Sequence, residues 1–174
     1  MSSLFPEISN RMGLKYLFKL EILHALRHGE IYATSDLKGY ATWLPHQKAV
    51  MTIWDLIRCH VFRNIIRKAK GRDLRKILNL NDFINKKHKE HANFPHWYLH
   101  NIAVEPDYQG RGYGSALIRE MLLKIDEQNF PCFLETQNEK NVAMYEKFGF
   151  KVLEETTVQG TDYAMYFMLR PKIL

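Results

Sequence analysis

The densest chemistry in this 174-residue chain lies between Tyr98 and Ser115. Strand-forming residues from Trp97 to Val104 run into a Pro106-Asp107 turn. Gln109, Gly110, Arg111, Gly112, Tyr113, Gly114 and Ser115 then lead into a helical pattern. Such a loop suits an anion, phosphate above all, because glycines let the backbone approach and a helix N-terminus offers unpaired N–H groups and a partial positive charge. It is not a P-loop, since no Gly-Lys-Ser/Thr follows. It is not the dinucleotide fingerprint either, because Ser115 stands where the third glycine belongs. Taken alone, the glycines fit a tight strand-to-helix turn equally well. The two cysteines, Cys59 and Cys132, form no Cys-x-x-Cys pair and fit reduced thiols in a cytoplasmic protein. His24 and His28 share a helical spacing, but no acidic ligand pattern accompanies them, so no metal site is expected.

The elements that must position this loop follow from periodicity. Residues 11–28 read as a helix with Leu14, Leu17, Phe18, Ile22, Leu23 and Leu26 on its apolar stripe and Gly29 as its stop. Two strands, Ile31 to Thr34 and Tyr40 to Leu44, flank a turn at 35–39. Residues 50–90 read as two helices divided at Gly71, the first with a stripe of Ile53, Trp54, Ile57, Val61 and Ile65. A strand at Trp97–Val104, a helix around Leu117, Ile118, Met121, Leu122 and Ile125, and a strand at Cys132–Thr136 come next. A short helix from Glu139 to Phe148 then ends at Gly149, a left-handed position. Strands at 150–158 and 162–169 finish the chain. The order predicts an α/β (α+β) fold, a sheet with helices packed on it. The early apolar stretch 14–26 is broken by Lys15, Lys19 and Glu21, so neither a membrane span nor an export signal is expected.

Two blocks carry a family resemblance. Gln109-x-x-Gly112-x-Gly114 resembles the Q/R-x-x-G-x-G/A signature of the GNAT superfamily of acyl-CoA N-acyltransferases, and the residues before it, Ile102 to Asp107, resemble that family's fourth strand and following turn. Asn138, Asn141, Tyr145, Gly149 and Phe150 arrive in order and are similar to the family's N-x-x-A-x-x-x-Y-E-K-x-G-F ending. The run Leu134-Glu135-Thr136 ahead of Asn141 and Tyr145 is closest to the puromycin-acetyltransferase-like branch. The resemblance spans about residues 30–170 within one domain, 1–174. It implies a GNAT fold: a central, twisted, mixed but mostly antiparallel sheet flanked by helices, with a two-helix insertion before the cofactor-binding strand.

The resemblance also implies roles. Backbone N–H groups from Gly110 to Ser115, in the loop formed by Gln109, Gly110, Arg111, Gly112, Tyr113, Gly114 and Ser115, hold the pyrophosphate of acetyl-CoA, the acyl donor. Ile102, Ala103 and Val104 pair with its pantetheine arm as an added strand would. Asn138 or Asn141 hydrogen-bonds the cofactor; Asn138 has the usual spacing from the tyrosine and Asn141 the puromycin-like one. Tyr145 resembles the general acid that protonates the departing thiolate, with a core tyrosine as the alternative. An acceptor amine is mostly ammonium at neutral pH, so a base is also needed. Glu135, His100 and Glu30 are the candidates. Glu135 is preferred because it sits in the matched run beside the cofactor strand, although a carboxylate that merely orients the amine fits as well. Trp43 is the best aromatic candidate for a pocket wall.

The implied function is transfer of an acetyl group directly to a primary amine of a small molecule, with a peptide or protein amine as the alternative acceptor. A degenerate fold that senses CoA without catalysis is a further reading. A different class, a nucleic-acid-binding module, is suggested by the net charge of +6. That excess is local: residues 58–89 hold eleven Lys and Arg against Asp73 and Asp82. The front of the family pattern is short, its first strand and helix apparently missing, which could leave a sheet edge open to homodimerisation.

Overall fold

The computed structural model describes residues 11–51, 71–158 and 161–173. The expected stripe at 53–65, the 58–70 part of the basic segment 58–89 and the expected shortening of the front end before residue 11 lie outside these residues. The described elements are α1 (Arg11–His28), β1 (Glu30–Ala33), β2 (Gly39–Pro45), α2 (Gly71–His91), β3 (Trp97–Val104), α3 (Tyr113–Glu127), β4 (Cys132–Thr136), α4 (Glu139–Glu146), β5 (Lys151–Thr157) and β6 (Ala164–Arg170). The six strands form one sheet in the order β1-β2-β3-β4-β6-β5. Only β3 and β4 run parallel; every other neighbouring pair is antiparallel. The expected mixed, mostly antiparallel sheet is therefore observed.

Alternation along the strands divides the core in two. Ala41, Trp43, Leu99, Cys132 and Leu134 face α3 and α4 and meet Leu117, Ile118, Met121, Ile125 and Tyr145. Leu44, Tyr98, Phe133, Met165 and Phe167 face α1 and α2 and meet Ala25, Phe83 and Ile84. Arg170 locks the first layer at its edge. Its guanidinium makes two hydrogen bonds to the Asp126 carboxylate at the end of α3, and its Nε donates to the Phe148 carbonyl at 2.8 Å. With a side chain only 11% exposed, Arg170→Leu leaves Asp126 with a half-buried, unpaired charge. The expected cost is about 3 kcal/mol, read as a lowered urea midpoint at unchanged m-value.

Two expectations are corrected here. α1 leaves part of its apolar stripe outside the core: Leu26 is 65% and Phe18 37% exposed, whereas Leu20, His24 and Ala25 are buried. The small Ala25 and Gly29 bring this helix close to β2, so close that a Cβ on Gly29 would lie 1.9 Å from the Trp43 carbonyl oxygen. The polar His24 is satisfied by the Lys48 carbonyl at 2.9 Å. Trp43, expected in a pocket wall, is fully buried in the core beneath α3. Its position in β2 points its ring to that layer.

Candidate active site

β3 and β4 pair over only two residues, Trp97 with Cys132 and Tyr98 with Phe133. β3 then continues to Val104 and β4 to Thr136 without a ladder between them. The cause is a β-bulge. Opposite β2, Thr42 pairs with Asn101 and Trp43 with Leu99, which leaves His100 as the extra residue in β3. A bulge bends its strand and increases local twist, so β3 is steered away from β4 from this point. Ile102, Ala103 and Val104 keep their partners Ala41, Tyr40 and Gly39 on one side. Backbone groups on their other side face the gap, as a strand-like ligand requires.

The glycine loop closes the open end of this gap. Gly110 and Gly112 have φ of 75° and 88°, and a Cβ built on either meets nothing within 4 Å. The loop surface is open as well as left-handed. The first helical bond of α3 is Ala116 N–H to the Gly112 carbonyl. The N–H groups of Tyr113, Gly114 and Ser115 thus precede the hydrogen-bonded helix and remain for an anion. Gly114 lies between Ile102 of β3 and Met144 of α4, at 3.8 and 3.9 Å from its notional Cβ. Gln109 ties the loop to β3 by donating to the Val104 carbonyl at 3.0 Å. Tyr113 donates to Asp36 at 2.8 Å, and Arg111 lies exposed over the Tyr108 ring.

The two asparagines divide their work. Asn138 caps α4, its side chain accepting from Lys140 N–H at 3.1 Å. Asn141 is half-buried one turn before Tyr145, hence on the same helical face. Tyr145 is 3% exposed and packs edge-on to Phe150. Its hydroxyl has no hydrogen-bond partner among the described residues. Desolvation, with the nearby Glu135 charge second, pushes its pKa above the ordinary phenol value, so it stays protonated at neutral pH.

Glu135 points to the opposite face. Tyr98 donates its hydroxyl proton to Oε1, while Oε2 is buried with no partner among the described residues. Burial lifts this carboxyl to about 7, opposed by the Tyr98 hydrogen bond. His100 stands nearby, its ring 5.4 Å from that of Tyr98. Burial, with His24 second, lowers His100 to about 4. For an amine near 10.4, proton transfer to His100 is uphill by about 6 pK units and to Glu135 by about 3. Of the two, Glu135 lies nearer to an amine in proton affinity. Glu30 does not belong to the site: it lies on outer strand β1 and is paired with Lys124 of α3 and with Tyr32.

One site residue escaped the sequence reading. Glu21 of α1 accepts a hydrogen bond from Asn101 Nδ2 at 2.8 Å, and desolvation lifts it to about 7 despite that bond. Its charge in turn raises Glu135 and Tyr40. The available signal was a charge inside an apolar helix, at the spacing shared by Leu20, His24 and Ala25. Among the described residues no group of three His, Cys, Asp or Glu side chains could hold a metal ion, and no helix is long and apolar enough to cross a membrane.

A splayed parallel strand pair, a glycine loop at its mouth and helices on both faces make a mixed α/β fold of the kind the resemblance implies. Residues 75–152 match the family model described as an acetyltransferase (GNAT) domain. The chain is 27% identical over 135 residues to an uncharacterized N-acetyltransferase of Schizosaccharomyces pombe, covering 73% of this chain and 52% of that protein. It is 32% identical over 68 residues to the ribosomal protein bS18-alanine N-acetyltransferase of Escherichia coli, covering 37% and 44%. The chain thus spans about half the length of these curated relatives. A solved structure described as histone acetyltransferase HPA2 and related acetyltransferase, from Corynebacterium glutamicum, superposes with a TM-score of 0.62 at 22% identity. That superposition covers 100% of this chain and 80% of the other.

Proposed function

We propose that this protein is an acetyl-CoA-dependent N-acetyltransferase that transfers the acetyl group directly to a primary amine. The observation that carries this reading is the placement of Glu135 and Tyr145 on opposite faces of the sheet, beside the gap between β3 and β4. Acetyl-CoA supplies the thioester carbon that the amine attacks. The glycine loop and the first turn of α3 hold its pyrophosphate, the free edge of Ile102–Val104 holds its arm, and Asn141 stands beside it. The loop is open where a phosphate must lie, and the strand edge is unpaired where an extended chain must pair, so the residues fit the donor. Glu135 takes the proton from the acceptor ammonium, and the freed nitrogen forms the new C–N bond. Tyr145 gives its proton to sulfur as the C–S bond breaks. The phenol is later reprotonated from solvent and Glu135 releases its proton there, which balances the cycle.

Among acceptors we favour a small-molecule amine, supported by the Leu134-Glu135-Thr136 run and the four-residue spacing of Asn141 and Tyr145, features of the puromycin-acetyltransferase-like branch. A peptide or protein α-amine is the second reading, favoured by the match to the bS18-alanine enzyme. We take the chain as one domain over 1–174 working in the cytoplasm. Calorimetry with acetyl-CoA, followed by CoA release over a panel of amines, tests the reading. Binding is expected, and Gly112→Val, which forces a branched residue to a φ of 88°, is expected to weaken it by about tenfold or more. Absence of acetyl-CoA binding by the unaltered protein sinks the proposal.

A further inference from the structure

Buried acids are ordinarily met by a cation. Even partly exposed acids elsewhere in this molecule are: Asp126 by Arg170, Glu30 by Lys124, Glu154 by Lys87 and His91. On the α1 face of the sheet, among the described residues, the rule fails twice. Glu135 is held by the Tyr98 hydroxyl and has a buried oxygen with no partner among the described residues. Glu21 is held by the Asn101 amide. Among the described residues, the groups acting on Glu135 are the Tyr98 phenol, its own backbone and Glu21, and the group acting on Glu21 is the Asn101 amide; none is a Lys or Arg. His100, also in this region, is kept neutral by burial. Thr42, which pairs with Asn101 in the sheet, adds a buried hydroxyl oxygen without a partner among the described residues.

The missing counter-charge has a natural source. The cofactor loop lies on the α3 side of the gap, so an acceptor reaches the thioester from the α1 side, past these two carboxylates. We infer that Glu21 and Glu135 form a cation-binding acceptor site in which Glu21 determines specificity, admitting primary amines that carry no anionic group beside the nitrogen. This inference rests on the acetyl-transfer reading. An ammonium placed at Glu135 brings its neighbouring carbon close to Glu21. A carboxylate on that carbon meets a like charge away from bulk water, with no basic residue among the described ones to relieve it. Simple amines, diamines and peptide α-amines, whose carboxyl is an amide, are accepted. Free α-amino acids are rejected.

Calorimetric titration of the CoA-saturated protein with tyramine, tyrosinamide and tyrosine tests this, with CoA release measured in parallel from acetyl-CoA. Tyramine and tyrosinamide are expected to bind at least about tenfold more tightly than tyrosine. Glu21→Gln is expected to weaken tyramine by about tenfold and to bring tyrosine within about threefold of it. Acetyl-CoA affinity, which shows that the fold and donor site persist, is expected to stay unchanged. Glu127→Gln, at the exposed end of α3, is expected to change none of these. A Glu21→Gln protein with unaltered tyramine affinity and preference overturns the inference, as does unaltered protein that binds the three alike or binds none. Glu21-dependent amine binding without CoA release supports this site while sinking acetyl transfer. CoA release that ignores Glu21 does the reverse.

Discussion

Glu135→Gln is expected to lower kcat/KM for acetyl transfer by about two to four orders of magnitude, the usual worth of a positioned general base. The amide keeps the shape and can still accept from Tyr98, so acetyl-CoA affinity stays near its original value. The pH profile gives a second signature. With Glu135 raised to about 7, kcat/KM is expected to fall as pH drops below 7. The groups on its side of the sheet are Tyr98, Glu21 and His100, with Tyr145 across the sheet. Burial keeps the phenols protonated at and above neutrality, and His100 is neutral until about pH 4. The limb therefore belongs to the two carboxylates, and it should retain one proton in Glu21→Gln.

Stability moves in the opposite direction to activity. The folded state holds the Glu135 proton more tightly than the unfolded chain, whose carboxyl titrates at the ordinary 4.5. Below 4.5 both states are protonated and burial of a charge costs nothing on this account. The cost grows as pH rises and is complete above about 7, where a shift of this size corresponds to at most about 3 kcal/mol. Glu135→Gln is thus expected to raise Tm at pH 8 and leave it unchanged at pH 4. A variant that turns over within about threefold of the original protein sinks the assignment of Glu135 as base.

Tyr145→Phe is the second large effect. Loss of the hydroxyl is expected to cut kcat by about a hundredfold, with acetyl-CoA affinity and Tm nearly unaltered because the ring keeps its edge contact with Phe150. A merely structural role is separated by the leaving group. An acetyl thioester of an aromatic thiol departs as a stabilised thiolate and needs no proton, so it should restore much of the lost rate. An equal loss with both donors would falsify the role of Tyr145 as acid.

Much of the molecule is legible from its residues. The strands at Trp97–Val104 and Cys132–Thr136 are observed at the expected bounds, because each is a short run of aliphatic and aromatic residues cut off by proline, glycine or asparagine. The left-handed glycine after α4 is likewise local, with Gly149 at a φ of 87°. So is the glycine loop, since backbone conformation and the start of α3 depend on neighbours in sequence. The roles proposed for Tyr145 and Glu135 could be read only through a resemblance, as nothing local says that two residues ten apart stand on opposite faces of one sheet.

What folding alone decided concerns faces and partners. Periodicity in α1 shows which residues share a side of the helix, and Leu14 to Leu26 make the more apolar side. It does not show which side meets the sheet. That choice was made by Ala25 and Gly29, which allow close approach to β2, and by partners far along the chain: the Lys48 carbonyl for His24, 24 residues away, and Asn101 for Glu21, 80 residues away. The bulge at His100 is of the same kind, because it exists only in register with β2. Sequence by itself determined the elements, the glycine loop and the residue types able to move a proton. Tertiary structure decided that Glu21 meets Asn101, that Trp43 is core and that Glu30 pairs with Lys124. A polar group is buried only where its partner is brought to meet it, and that partner is chosen by the packed chain.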